Sequence, residues 1–110
     1  MTAEPRFDEV IHAPHRLRIC AALAAASETE FSVLRELLGV SDPVLSKHLR
    51  TLQDAGYVAL TKPTGRGGRV RTWVGLTGKG RHALQAHVAE LRRLTDHLPA
   101  ESSGPSTAPG

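Results

Sequence analysis

The side chains best spaced for chemistry are Lys47 and Arg50, three residues apart, with Ser46 beside them and Asp42-Pro43-Val44 just ahead. A second group follows, in which Lys62, Arg66, Arg69 and Arg71 are interleaved with glycines. Guanidinium groups do not give up protons near neutral pH. They grip oxyanions and the acceptor edge of guanine through a planar fork of donors. From Pro43 to Ala89 eight basic side chains stand against Asp54 alone, a net +7 within a chain whose formal charge is +3. Arginine outnumbers lysine eleven to three. A polyanion is the partner this distribution suits, with a solvated basic surface as the plainer reading of the same charge.

The other reactive side chains point to less. A single cysteine, Cys20, closes no intramolecular disulfide and builds no multi-cysteine zinc site. It falls on the inward side of an alanine-rich helix and reads as a packed, inert thiol. His12 and His15 are separated by Pro14, and His82 and His87 do not share a helical face, so no metal is expected. His48 is expected to be half-buried and to touch the backbone. Ser41, Ser46 and Thr77 all have helix-cap or groove-facing explanations. No G-x-S-x-G, P-loop or H-E-x-x-H pattern occurs, and the glycine-rich stretch lies between strands rather than between a strand and a helix. The chain is expected to be no enzyme and to need no cofactor.

These groups need elements to position them. A chain of 110 residues, 40% hydrophobic and 23% charged, is sized for one folded domain. Its longest strongly apolar run, Ile19 to Ala26, is too short to span a membrane. With no secretory leader read at its start, a cytoplasmic location is expected. Aromatic residues are scarce, so the core should be aliphatic and mainly helical. Phe7, Val10 and Ile11 suggest a short helical lead-in to His12, and Pro14 opens a helix to about Ala26, with Leu17, Cys20, Ala21 and Ala24 on its inward face and Ile19 and Leu23 widening it. Phe31 to Leu38 follows, with Phe31, Leu34, Leu37 and Leu38 apolar and Gly39 as a left-handed stop.

Val40-Ser41-Asp42-Pro43 then starts a helix running to about Ala55. At about 100° per residue, Leu45, Leu49 and Leu52 share one side, while Pro43, Ser46, Lys47, Arg50 and Asp54 fall opposite. Beyond Gly56, a strand-like Tyr57 to Lys62, a glycine-rich tip and an alternating Val70 to Leu76 make a hairpin. Thr77 caps a final helix from Gly78 to Leu98, and residues 99–110 read as a disordered tail after a domain of residues 1–98.

Two helices joined by a tight turn and followed by a slender basic hairpin have the layout of a winged helix-turn-helix, a mainly α fold. In it the second helix of the pair fits the major groove and the hairpin reaches flanking phosphates. Ser46, Lys47 and Arg50 are then candidates for base edges, Pro43 and Val44 for thymine methyls, and Asp42 either reads a cytosine amino group or caps the helix. Lys62, Arg66, Arg69 and Arg71 would hold the DNA backbone.

The stretches Leu38-Gly39-Val40-Ser41-Asp42, Leu45-Ser46-Lys47-His48-Leu49, Ala55-Gly56-Tyr57-Val58 and Leu76-Thr77-Gly78-Lys79-Gly80-Arg81 resemble winged-helix transcriptional regulators of the MarR and ArsR type, over about residues 7 to 98. The resemblance implies a bacterial or archaeal regulator, usually dimeric and often a repressor, bound to a partly palindromic operator. The paired cysteines of metal-sensing ArsR members are missing from this sequence, and no residues in it indicate a small-molecule effector.

The last helix adds its own signal for pairing. Leu84, Val88, Leu91 and Leu98, with Leu94 beside them, form a stripe longer than a small core needs. It is expected to meet the same helix, or the Phe7, Val10 and Ile11 segment, in a second copy. Double-stranded DNA and a homodimer partner are the expected interactions. A winged-helix protein-docking module is the rival reading.

Overall fold

Pro14 suits the first turn of a helix because its φ is fixed near the helical value and its missing N–H has no partner to lose there. In the computed structural model, which describes residues 3–62 and 71–99, it opens α2 (Pro14–Ala25). A single turn, α1 (Glu9–His12), precedes it, capped by the Asp8 carboxylate, which accepts from the Ile11 N–H at 3.0 Å. The chain continues through β1 (Thr29–Glu30), α3 (Phe31–Leu38), α4 (Asp42–Asp54), β2 (Val58–Thr61), β3 (Trp73–Leu76) and α5 (Gly78–Thr95).

The three strands form an antiparallel sheet in the order β1-β3-β2, with Thr29 opposite Val74 and Leu60 opposite Val74 on its other side. The core is aliphatic and draws on nearly every element. Ile11, Ile19, Leu23, Leu34, Leu45, Leu52 and Val74 have no exposed surface, and Leu38, Leu49, Val58 and Leu84 are almost as enclosed. Burying side chains of this size contributes about 1.5–3 kcal/mol each relative to leaving them in water. That is what holds helices with so few aromatic contacts together.

Two close approaches fix the start of α5. The Tyr57 carbonyl accepts from the Thr77 N–H at 2.9 Å, and the Thr77 hydroxyl donates to the Gly56 carbonyl at 2.6 Å while accepting from the Gly80 N–H at 2.9 Å. Gly80 sits so near Tyr57 that a Cβ there would lie 2.1 Å from its carbonyl oxygen. Only glycine permits this seam between the β2 approach and α5.

Several boundaries differ from the sequence expectation. β1 has no periodicity of its own to betray it, because two residues become a strand only by pairing with β3. β3 begins at Trp73, with Arg71 and Thr72 ahead of it. α5 ends at Thr95 rather than Leu98, and Leu94 and Leu98 stand exposed at and just beyond its end. Ala21 is exposed, the inward side of α2 being Ile19, Cys20 and Leu23. Leu37 is 58% exposed, because α3 turns Leu34 and Leu38 inward and has no second covered side. The glycine-rich tip and residues 100–110 lie outside the described residues.

Candidate nucleic-acid interface

The helix pair is set by a turn that local chemistry specifies. Gly39 ends α3 in the left-handed region, at φ 68°, where a side chain would be strained. The Arg35 carbonyl accepts from the N–H groups of both Gly39 and Val40, and the Arg35 guanidinium reaches across to Asp42 at 2.8 Å. One residue thus closes the turn with its backbone and ties α3 to the first turn of α4 with its side chain. Ser41 is the cap, its hydroxyl oxygen accepting from the Val44 N–H at 3.4 Å. Of the two readings open for Asp42, the cap falls to Ser41; the Asp42 carboxylate is engaged with Arg35, at the helix end where negative charge complements the macrodipole.

From this start α4 splits into two unlike sides. Leu45, Leu49 and Leu52 are buried, while Asp42, Pro43, Val44, Ser46, Lys47 and Arg50 are all exposed. Val44, at 39% exposure, is a large apolar side chain held in solvent among polar neighbours. The arrangement brings together on one side a methyl-bearing surface, a hydroxyl and two cations that make no ion pair among the described residues. Lys62 stands exposed just beyond β2. Arg71 is exposed too, but its Nε lies 3.7 Å from a Glu30 carboxylate oxygen, so β1 tethers it at the base of the hairpin. Arg66 and Arg69 lie outside the described residues.

The back of α4 is braced by polar contacts that spacing did not reveal. Arg16 on α2 donates from Nε to the Val10 carbonyl and places Nη1 3.3 Å from Nδ1 of His48. An arginine can only donate, so His48 Nδ1 is the acceptor and its ring is neutral in this contact. Burial first, then the charge of Arg16, His15 and Lys47, pushes the His48 imidazole below its ordinary range. His48 is therefore half-buried as expected, but it meets a guanidinium rather than the backbone. Arg18 Nη2 donates to the Leu37 carbonyl at 3.3 Å, securing the end of α3.

The one cysteine is enclosed. Cys20 is fully buried, and burial together with the Asp8 carboxylate pushes its thiol up to about 11. Among the described residues no three histidine, cysteine or acidic side chains lie together as metal ligands. A cleft of about 680 Å³ runs between the N-terminal segment and the start of α5, lined by Arg6, Phe7, Tyr57, Lys79, His82 and others. No helix among the described residues is long and apolar enough to cross a membrane.

Of the residues proposed for pairing, Ile11 is wholly buried and Leu84 nearly so within this chain's own core, leaving them little surface to offer. Phe7, Leu94 and Leu98 are exposed, and Val10, Val88 and Leu91 are half-buried.

The uncharacterized protein MJ0432 of Methanocaldococcus jannaschii is 35% identical over 83 residues, covering 76% of this chain and 89% of that protein. A solved transcriptional regulator homologue from Pyrococcus horikoshii OT3 superposes with a TM-score of 0.74 at 26% identity, over 81% of this chain and 87% of its own. A zinc-responsive MarR family member, ZitR of Lactococcus lactis, shares the fold at a TM-score of 0.60 and 22% identity, over 92% of this chain and 73% of its own. The architecture is the one found in MarR and ArsR family transcriptional regulators. Residues 15–95 match the model of the winged helix DNA-binding domain, and by that match this chain belongs to the winged helix DNA-binding domain family.

Proposed function

We propose that this chain is a homodimeric, sequence-specific DNA-binding regulator, a repressor that occupies an inverted-repeat operator through α4 and a basic wing. The observation that carries the reading is the division of α4. Its leucines are committed to the core, and Pro43, Val44, Ser46, Lys47 and Arg50 are left together on the solvent side. An α-helix fits the width of the major groove, and this set offers donors for guanine and phosphate and an apolar contact for thymine. Lys62, Arg66, Arg69 and Arg71 serve the phosphate backbone. The choice of repression rests on the resemblance to MarR and ArsR regulators. The protein works in the cytoplasm and performs no catalysis.

Dimerisation is supported by the end of α5 and the residues just beyond it, where Leu94 is 46% and Leu98 65% exposed, with Leu91, Val88, Val10 and Phe7 as further contacts. A twofold pair would set its two α4 helices about 34 Å apart, one turn of DNA, which is why the site is an inverted repeat. The test is selection of bound duplexes from a random pool, with the stoichiometry measured by sedimentation. Enrichment of a palindromic motif bound by two chains is expected. No enriched motif would overturn the reading and favour the docking-module alternative, to which exposed Val33 and Leu37, one turn apart on α3, lend an apolar patch.

A further inference from the structure

The N-terminal segment is fastened to α5 by a pair of histidines whose hydrogen bonds depend on the number of protons they carry. His87 has no exposed surface. Its Nδ1 accepts from the Asp8 backbone N–H at 2.9 Å, and its Nε2 lies 3.1 Å from Nδ1 of His12. A backbone N–H can only donate, so Nδ1 of His87 is bare and the ring proton is on Nε2. That N–H must then donate to His12, whose Nδ1 is bare in turn. Phe7 covers both rings, with centroids 4.7 Å from His12 and 4.8 Å from His87. The Arg6 N–H, bonded to the Ala86 carbonyl at 3.0 Å, completes the attachment.

We propose that His12 and His87 form a proton-operated latch, which fastens residues 6–12 to α5 while both imidazoles are neutral and releases them when either takes up a proton. A proton on His87 Nδ1 would face the Asp8 N–H, and one on His12 Nδ1 would face the His87 N–H. Each replaces a hydrogen bond by two opposed donors. His12 is exposed and admits the proton from solvent.

The surrounding charges do not cancel this. The Asp8 carboxylate favours a charged His87 but is already occupied by the Tyr57 hydroxyl and the Ile11 N–H. Tyr57 ahead of β2 and Cys20 on α2 both feel the Asp8 charge, opposed by Arg6 at Tyr57 and by Arg16 at Cys20. On α5 itself Glu90 is paired with Arg93 at 2.8 Å, and Lys79 and His82 line the neighbouring cleft. Burial, then the nearby His12, holds the His87 imidazole below its ordinary range. Opening would expose Ile11, now wholly enclosed, and would take the Val10 carbonyl away from Arg16, the residue that braces His48 on α4.

The test follows ring tautomers and amide exchange by NMR in the full chain as pH is lowered from neutral. Both rings are expected to carry their proton on Nε2 at neutral pH. As pH falls toward the His87 midpoint the protection factor of the Asp8 amide should drop by up to about tenfold per pH unit, the limit set by a single proton, and it should level off below that midpoint. The Leu49 and Leu52 amides of α4 should remain protected. A proton on Nδ1 of His87 at neutral pH, Asp8 protection indifferent to the titration, or simultaneous loss of the α4 amides would each overturn the latch. His12→Ala, a change at an exposed position, keeps the Asp8 acceptor and removes the partner ring. It should move the His87 midpoint and the Asp8 opening upward together, and an unmoved pair of midpoints would refute the proposal.

Discussion

Replacing Arg50 by alanine isolates base reading from folding. The side chain is exposed and makes no ion pair among the described residues. Its loss should change the unfolding free energy by no more than about 0.5 kcal/mol. A bidentate arginine–guanine contact is worth about 1–3 kcal/mol of discrimination, which is about 5- to 150-fold in affinity. Anisotropy titrations against the selected operator and a scrambled duplex, at one physiological salt concentration, measure the difference directly. The operator should lose that factor and the scrambled duplex far less. Arg50→Lys should recover part of the affinity for both duplexes without restoring the preference, because an ammonium keeps the charge and lacks the planar fork. An equal loss on the two duplexes would refute the role given to Arg50 and reduce it to a phosphate contact.

Arg66→Ala and Arg69→Ala should weaken binding to all sequences alike and flatten the salt dependence by about 0.9 log units per lost phosphate contact, so an unchanged slope in titrations at several salt concentrations would remove the wing from the interface. Gly80→Ala forces a Cβ to within 2.1 Å of the Tyr57 carbonyl oxygen. It should cost about 1–3 kcal/mol in urea unfolding, and an unaltered midpoint would mean that the seam between β2 and α5 yields freely. The Cys20 thiol, pushed up to about 11 and fully buried, should resist iodoacetamide at pH 8 in the folded protein and react readily in urea, whereas rapid labelling of the folded chain would contradict its enclosure.

What could be read from the sequence was whatever depended on local rules. Pro14, Gly39, Ser41, Pro43, Gly56 and Thr77 each act within a few residues, and the helix ends they mark are where the chemistry of those residues puts them. The two sides of α4 follow from a 3.6-residue period and need no knowledge of the partners. The hidden features depend on residues far apart in the chain. β1 exists because Thr29 and Glu30 meet β3 more than forty positions later. His87 looked like one of several scattered histidines until Asp8 and His12 were brought to it. Nothing in the spacing of Arg16 announces its grip on His48. Only the Arg35–Asp42 pair, seven residues apart across a glycine turn, left a signal that could have been used.

These distant contacts explain how the short helix proposed to read DNA can present its polar side without being loosened by it. α4 carries on one side two cations that make no ion pair among the described residues, while its buried leucines set which side faces the core. Arg35 holds the first turn through Asp42, and Arg16 holds the middle through His48, from α3 and α2 respectively. Two polar ties at different heights on the helix add directional restraints to the rotation that its buried leucines set. The tie to Asp42 also keeps a carboxylate paired that would otherwise repel a nearby phosphate. Removing Arg35 should therefore impair DNA binding more than it impairs folding, since the pair is largely exposed and contributes little to stability. Arg35→Gln and Asp42→Asn compared singly and together decide the matter. A double variant that binds no worse than Arg35→Gln is expected if the two act only through each other. Independent, additive losses would mean that each touches DNA on its own account and that the turn needs no such tie.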